Sequence, residues 1–519
     1  MKKAKKLLAL LLATLMLLSM VACTGSGNNS NTHKPGASKK LKIVCANFGY
    51  GTDWLRAIAQ AYSAKHPDVS IVVENTPVPH TVLAQIEGGL SAYDLFFGTS
   101  GAALAGFSEG GTIISLEDVY AATPEGEDKT VAEKMGIMAD YMTYKGGKWT
   151  IPYVNSVVGM VVNNDTMKTL FPEGYTLPKT TDEFLALCDV VKSKGAYAYL
   201  ENVGYTDYMV ETWWYQYDPQ GWDNYWSGTY VDENGNKVVD TDGSVVLNQP
   251  GKLEALKLNE TLLNLKNGYN HKYCMSMDFA EAQLAFLGNG YGGIDDKLVA
   301  FMPNGAWLEN EMELVLAESP ADFEMFRVPI ISSIINVLPD KSVADDAELS
   351  ALVTAIDAGN TALSGAGYEV TQNDYDRVKL ARISAAQNTY AHTAAVISTT
   401  KYPEEAKDFL VYLASDEASA IAARVLKGVT LPFGYEPSSD KGYEISKFVQ
   451  SAIKVTIGSN AIGHPTTVPV MNGMRISKLL SSALVADLIN GNKTAQQIYD
   501  DDLGWYKNDW EFIINGLEQ

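Results

Sequence analysis

The chain has 519 residues and carries 62 acidic against 40 basic side chains, a formal net charge of −22. At roughly 100–200 residues per domain, this length leaves room for two or three domains with substantial cores, and the acidity excludes a nucleic-acid surface, which needs clustered Lys and Arg. Four cysteines without a CxxC spacing and six scattered histidines without an HExxH pair indicate neither a disulfide framework nor a zinc cluster; no metal and no cofactor are expected, and Cys45 and Cys188 read as buried thiols.

The chain starts with Lys2, Lys3, Lys5 and Lys6, an uncharged run from Leu7 to Val21, and Ala22 ahead of Cys23. A cationic start, a short apolar core and a small residue at the junction describe an export signal over 1–22, since a spanning helix needs about 20 apolar residues. MVAC at 20–23 resembles a bacterial lipoprotein signal, with Met20 where leucine is usual. That likeness implies a diacylglycerol on the Cys23 thiol and a lipid-anchored place on the extracytoplasmic face of the bacterial cell membrane. The remainder of 23–40 is rich in Ser, Asn, Gly and Lys and cannot bury enough surface to order itself; it reads as a flexible stalk. From Leu41, LKIVCA reads as a strand, NFGYGTD as a loop, 54–65 as an amphipathic helix ended by His66-Pro67-Asp68, and SIVVE as a second strand. A right-handed crossover lays these strands side by side in a parallel sheet, with the loop at the carboxyl end where ligands usually sit. A helix over 80–90 and the strand YDLFFG at 93–98 complete another α/β unit.

Five further segments follow: DLFFG with GGTIISLEDV downstream, KWTIPYVNSVVGMVVNNDTMK, PKTTDEFLALCDVVKSKG, AFMPNGAWLENEM and YPEEAKDFLVYLASDEAS. In this order they resemble the extracellular solute-binding lipoproteins of bacterial ABC importers, carbohydrate type (family 1), over nearly all of the mature chain. The resemblance implies an α/β, two-lobed periplasmic-binding-protein-like fold of type II, each lobe a sheet flanked by helices and joined by a multi-strand hinge. It also implies a monomeric receptor, not an enzyme, that binds a carbohydrate or oligosaccharide between closing lobes. Its partners would be ABC permease subunits driven by a cytoplasmic ATPase. On this reading the chain crosses between lobes near 151–157, returns near 395–398 and recrosses near 431–435. The N-terminal lobe is then 41–153 with 396–430, and the C-terminal lobe 154–395 with 431–519. A helical insertion at about 331–394 stands where many relatives have a short loop.

Seven aromatic residues fall between 213 and 226: Trp213, Trp214, Tyr215, Tyr217, Trp222, Tyr225 and Trp226, interleaved with amides and carboxylates. Sugars present apolar CH faces to indole and phenol rings and hydroxyls to planar amide or carboxylate partners. Trp213, Trp214, Tyr217 and Trp222 are therefore candidate ligand contacts, although Trp213 and Tyr217 are also spaced as a helix face. Pro219 and Gly221 read as turn formers that put Trp222 and Trp226 on a loop. Roughly two or three of the seven rings are expected at the ligand and the rest in the core. Tyr50, Asp53 and Trp54 sit at the mouth of the first strand, where amides opening the helix could receive a polar ligand group; Asp53 could equally be the N-cap. Thr99 and Ser100 follow the third strand at the same edge, and Tyr153 and Asn155 lie at the first crossing. Asn304 and Trp307 belong to the NGAW turn, and the resembled family implies that this tryptophan stacks on a sugar.

Two other features look chemical. The segment VDENGNKVVDTDGSVVLN resembles a calcium loop, but from Asp232 the sixth and twelfth positions are Lys237 and Gly243 where an EF-hand needs Gly and Glu. Asn-Gly and Asp-Gly between β-branched runs are hairpin turns instead. An exported glycoside hydrolase is the rival class and would need two carboxyl groups about 5–10 Å apart; no local carboxylate signature, GxSxG or P-loop supports it. A receptor of the same architecture for a peptide or another organic solute differs only in pocket chemistry.

Overall fold

The computed structural model describes residues 36–46, 50–98, 101–155, 157–202, 204–359, 369–387, 392–426, 430–436, 445–462 and 482–515. The export signal, Cys23, most of the stalk, Thr99 and Ser100 lie outside them.

The first strand, β1 (Lys39–Ala46), pairs in parallel with β2 (Val69–Thr76) from Lys39↔Val69 to Ala46↔Thr76. The crossover is α1 (Asp53–Lys65), which buries Trp54, Leu55, Ile58, Ala59 and Tyr62 on one face and stops at His66, where Pro67 disfavours a further helical residue. A shorter helix, α2 (Pro79–Glu87), leads to β3 (Leu95–Gly98) on the other side of β1. Leu41, Ile43 and Cys45 join the main core while Val44 points into a second cluster with Phe96. The sheet is therefore covered on both faces, as the run of apolar residues in each strand requires. The chain continues through α3 (Ile137–Tyr141) to β4 (Ile151–Pro152) at the sheet edge.

A second sheet begins with β5 (Val158–Asn163), all six residues buried. After α4 (Thr181–Ser193) comes β6 (Tyr197–Tyr199), followed by α5 (Thr206–Tyr217) and α6 (Pro219–Ser227). The α6 segment corrects the expected loop. Pro219 occupies the first helical position, Asp218 caps it by accepting from the Gly221 amide at 2.8 Å, and Gly228 ends it at φ +64°. Gly221 is needed for close approach, because a Cβ there would lie 2.1 Å from the Asp218 carboxylate and 2.6 Å from Gln249. The hairpin of β7 (Thr229–Val231) and β8 (Lys237–Val239) follows, its Asp232 carboxylate accepting from the Asn234 and Asn236 amides. Then come α7 (Pro250–Leu263), β9 (Val299–Gly305), α8 (Leu308–Glu311) and β10 (Phe323–Phe326). The sheet order is β10-β5-β9-β6.

The insertion contains α9 (Asp346–Asp357) and α10 (Gln372–Ile383), tied by Arg382, which donates to both Asp357 oxygens at 2.9 Å. It packs on α5: Arg377 donates to the Gln216 carbonyl, and the Ile331 amide donates to the Gln216 side chain at 3.0 Å. The chain then passes through β11 (Ser384–Ala386) and returns to the first sheet as β12 (Thr393–Val396), antiparallel to β3 and β4, giving the order β2-β1-β3-β12-β4. Next, α11 (Pro403–Leu413) and α12 (Asp416–Val425) pack on α1. The last crossing leads to α13 (Lys447–Ile457) against β10, β13 (Asn460–Ile462) beside β11, and α14 (Ala495–Asn515) against α7. Three segments run together between the sheets: the Tyr153 amide donates to the His392 carbonyl at 3.1 Å, the Asn155 amide to that of Thr430 at 2.7 Å, and Val157 bridges Gln387.

Cys45, Cys188 and Cys274 are free and buried. No helix among the described residues is long and apolar enough to cross a membrane, and no three His, Cys, Asp or Glu side chains gather there as a metal site.

Candidate ligand-binding site

The carboxyl ends of β1 and β3 and the amino end of β12 meet at one edge of the first sheet, as the pairings Cys45↔Phe97 and Gly98↔Thr393 require. Aromatic side chains gather at this edge. Trp54 stacks on Tyr153 with ring centroids 5.6 Å apart and planes 17° apart, and its indole donates to the Gly51 carbonyl at 3.2 Å. The Tyr153 hydroxyl donates to the Gly98 carbonyl at 3.2 Å, and its ring stands 5.9 Å from His392. Burial holds the His392 imidazole down to about pKa 4, so it is neutral near pH 7. Tyr50 lies edge-on to His392 at 5.3 Å and edge-on to Trp307 of the second body at 6.1 Å.

Trp307 follows β9 immediately, and a chain of hydrogen bonds sets its orientation. Its indole N–H donates to the Tyr205 hydroxyl at 3.2 Å, and that hydroxyl donates to the Asn304 side-chain oxygen at 3.1 Å. The same Asn304 oxygen takes the Gly305 amide at 2.8 Å. Tyr205 also lies nearly parallel to Trp307, 6.5 Å away at 19°. Gly305 lets the indole fold back over the strand end, since a Cβ there would come within 2.1 Å of the ring. One helical turn on, the Glu311 amide donates to the Trp307 carbonyl, and its carboxylate accepts from the Gln283 side chain at 2.6 Å. Burial raises the Glu311 carboxyl above its ordinary pKa. Rings from both bodies, with a tyrosine hydroxyl, a carboxylate and an amide beside them, form a wall suited to a hydroxylated ring.

The sequence candidates separate into three groups. Tyr50, Trp54, Tyr153, Asn304 and Trp307 are brought together, with Asn155 close by at the crossing. Trp54, Tyr153 and Asn304 are nevertheless fully buried, and their polar atoms are engaged within the protein. Asp53 is neither cap nor cleft residue: Thr52 holds the N-cap position, while Asp53 sits in the first turn, paired with Arg56 at 2.7 Å and 84% exposed. The aromatic cluster is core. Trp213 and Trp214 are 0% exposed and Trp222 2%. The Trp213 indole donates to the Pro329 carbonyl, and Trp214 is enclosed edge-on by Trp222 and Tyr225 at 4.9 and 5.1 Å, with the Lys252 ammonium over it. Tyr217 packs half-buried against the same core. These four leave the wall because Trp213, Trp214 and Tyr217 on α5 and Trp222 on α6 pack against the core that these helices share. The sequence reading missed Tyr205, Gln283, Glu311 and His392. Only Glu311 carried a signal, standing four residues after Trp307 in NGAWLENE.

Comparison with known proteins matches residues 49–331 to a model of bacterial extracellular solute-binding proteins, and residues 327–424 to a second model of that description. The diacetylchitobiose binding protein NgcE of Streptomyces coelicolor is 25% identical over 318 residues, 58% of this chain; the chain spans 60% of that relative's length. The GacH receptor of Streptomyces glaucescens, solved unliganded and with acarbose, superposes with a TM-score of 0.58 at 14% identity, covering 91% of this chain and 98% of that one. RafE from Streptococcus pneumoniae superposes in its apo form with a TM-score of 0.58 at 13% identity, covering 92% and 99%. RafE in complex with raffinose gives 0.55 at 15%, covering 91% and 99%. At such identities these likenesses establish the fold, the two-lobed α/β architecture of periplasmic binding proteins.

Proposed function

Because the chain belongs to the bacterial extracellular solute-binding proteins, we propose that it is a receptor, not an enzyme, that takes a saccharide between its two sheet-centred lobes and hands it to an ABC import permease. The observation that carries this reading is the Tyr50–Trp307 pair, a ring from each body at 6.1 Å. Only contacts made to both lobes favour the closed state, so a ligand lodged beside this contact and touching both rings gains differential affinity for closure. Trp307, 7% exposed, offers apolar ring surface, and the Tyr205 hydroxyl, the Glu311 carboxylate and the Gln283 amide beside it complement sugar hydroxyls. The names of the relatives, with diacetylchitobiose, acarbose and raffinose, support the same ligand class.

The lobes are taken as 41–153 with 396–430 and 154–395 with 431–519, the insertion at about 331–394 belonging to the second. The export signal and the MVAC sequence ending at Cys23 support a lipid anchor at the extracytoplasmic membrane face. A stalk of about 17 residues reaches only some tens of ångströms by random-coil scaling, which keeps a monomeric receptor near its permease. The test is a thermal-shift and calorimetric screen of the purified protein against diacetylchitobiose, raffinose, maltose, a peptide mixture and polyamines, with an assay for new reducing ends. Stoichiometric saccharide binding with a raised melting temperature is expected. Turnover would make the protein a hydrolase, and binding confined to peptides or polyamines would replace the ligand class.

A further inference from the structure

Two polar side chains reach from one lobe to the other, as the lobes are bounded above, without joining the Tyr50–Trp307 wall. Asn310 in α8 belongs to the second lobe, and its side-chain amide donates at 2.6 Å to the carbonyl of Leu426, which belongs to the first. Leu426 is the C-cap of α12. The last carbonyls of a helix have no partner within it and lie at the negative end of its dipole, so an amide N–H is the group that suits this position. The bond exists only while the lobes are together; when they part, water takes the place of Asn310.

Gln387 works in the opposite sense. It stands on the segment that bridges Val157 between the sheets and is 1% exposed. Its amide N–H meets the sulfur of Met138, on α3 of the first lobe, at 3.0 Å, and its Oε1 has no hydrogen-bond partner among the described residues. A thioether is a weak acceptor, and burying an amide without its full set of partners is costly. Parting the lobes lets water reach this amide and removes that cost.

We propose that Asn310 and Gln387 are opposed determinants of the open–closed balance, Asn310 holding the lobes shut and Gln387 holding them apart, so that together they set the receptor's affinity without touching its ligand. The inference rests on the receptor reading above. Apparent affinity scales with the fraction of protein in the binding-competent state, so each substitution carries a sign. Asn310→Ala removes the tie and shifts the protein toward the open form. Gln387→Met replaces the unsatisfied amide by an apolar chain of similar volume that packs on Met138, and shifts it toward the closed form.

The test compares the natural chain, Asn310→Ala, Gln387→Met and the double variant. Each is titrated calorimetrically with diacetylchitobiose, raffinose and maltose, and each is measured free of ligand by small-angle X-ray scattering. Affinity is expected to fall about three- to tenfold in Asn310→Ala and to rise by about the same factor in Gln387→Met. The double variant returns close to the natural value, because the two side chains share no partner. Asn310 is half-buried, and its variant is expected to melt within a few degrees of the natural chain. Free Gln387→Met should scatter as a more compact particle than free Asn310→Ala. Affinities that move in the same direction, or not at all, overturn the balance while the receptor reading stands. Binding of no sugar by any of the four chains overturns the receptor reading, and scattering then decides the balance alone: equal compactness of the two single variants refutes it.

Discussion

Two aromatic regions of this molecule have opposite fates. Around α5 and α6, seven rings lie within fourteen residues of sequence, and the tryptophans among them are almost wholly enclosed. Across the cleft, Tyr50, Tyr153, Tyr205, Trp307 and His392 come from five distant places and meet through two loops, a helix start and two crossings. Local density marks a core because neighbours on one helix can bury one another. A ligand wall must draw on both lobes, and so its members are scattered along the chain.

The comparison breaks most visibly at Trp214. Replacing it with Ala removes a ring enclosed by Trp222, Tyr225 and Lys252. A loss of about 3–5 kcal/mol is expected, seen as a large fall in melting temperature with unchanged affinity in whatever fraction stays folded. Affinity lost in proportion, with melting intact, would return this cluster to the ligand wall. Next in size is the acid response of the cleft. His392 is held at about 4 against an ordinary 6.5, so the stability it contributes is complete above pH 6.5 and disappears as pH falls toward 4, up to about 3 kcal/mol. His271, also held near 4 by burial, acts with the same sign, whereas Glu201, buried and raised to about 7, acts oppositely. His392→Gln should therefore flatten the loss of melting temperature between pH 6.5 and 4 relative to the natural chain. An unchanged slope would mean that His392 is not neutral in the folded protein.

Smaller effects sharpen the contrast. Tyr205→Phe leaves the Trp307 indole N–H without its acceptor and removes one of two donors to Asn304. It should cost about 1–2 kcal/mol, and saccharide affinity should fall several-fold with little change in melting. A melting change alone would confine Tyr205 to packing. Asp53→Ala removes an exposed ion pair with Arg56; melting should move by less than a degree or two, and affinity should not move, because exposed pairs contribute about 0–1 kcal/mol. A drop in affinity would restore Asp53 to the wall.

Much of the framework was legible in the sequence for local reasons. The β1-α1-β2 unit follows from an apolar run, a helical stripe and His66-Pro67, and the hairpin at 229–239 follows from its Asn-Gly turn. The misread segment, 218–227, is also local. Asp218, Pro219 and Gly221 serve equally as turn formers or as cap, first helical residue and close-approach glycine, and what the helix adds is the burial of Trp222, Tyr225 and Trp226 in the core. Tyr205 and His392 could not be found, because a single tyrosine in a loop or a single histidine before a strand has no periodicity. Their role comes from pairing across about a hundred residues, as when Tyr205 meets Asn304 and Trp307.

That the ligand lies against the Tyr50–Trp307 contact, away from the dense cluster, is open to a single substitution. It is tested most directly by titrating the natural chain and Trp307→Ala, side by side, with whichever of diacetylchitobiose, raffinose or maltose binds. Affinity should fall tenfold or more in the variant, at least about 1.4 kcal/mol, while circular dichroism shows the fold retained. Equal affinity in the two folded proteins would contradict the account.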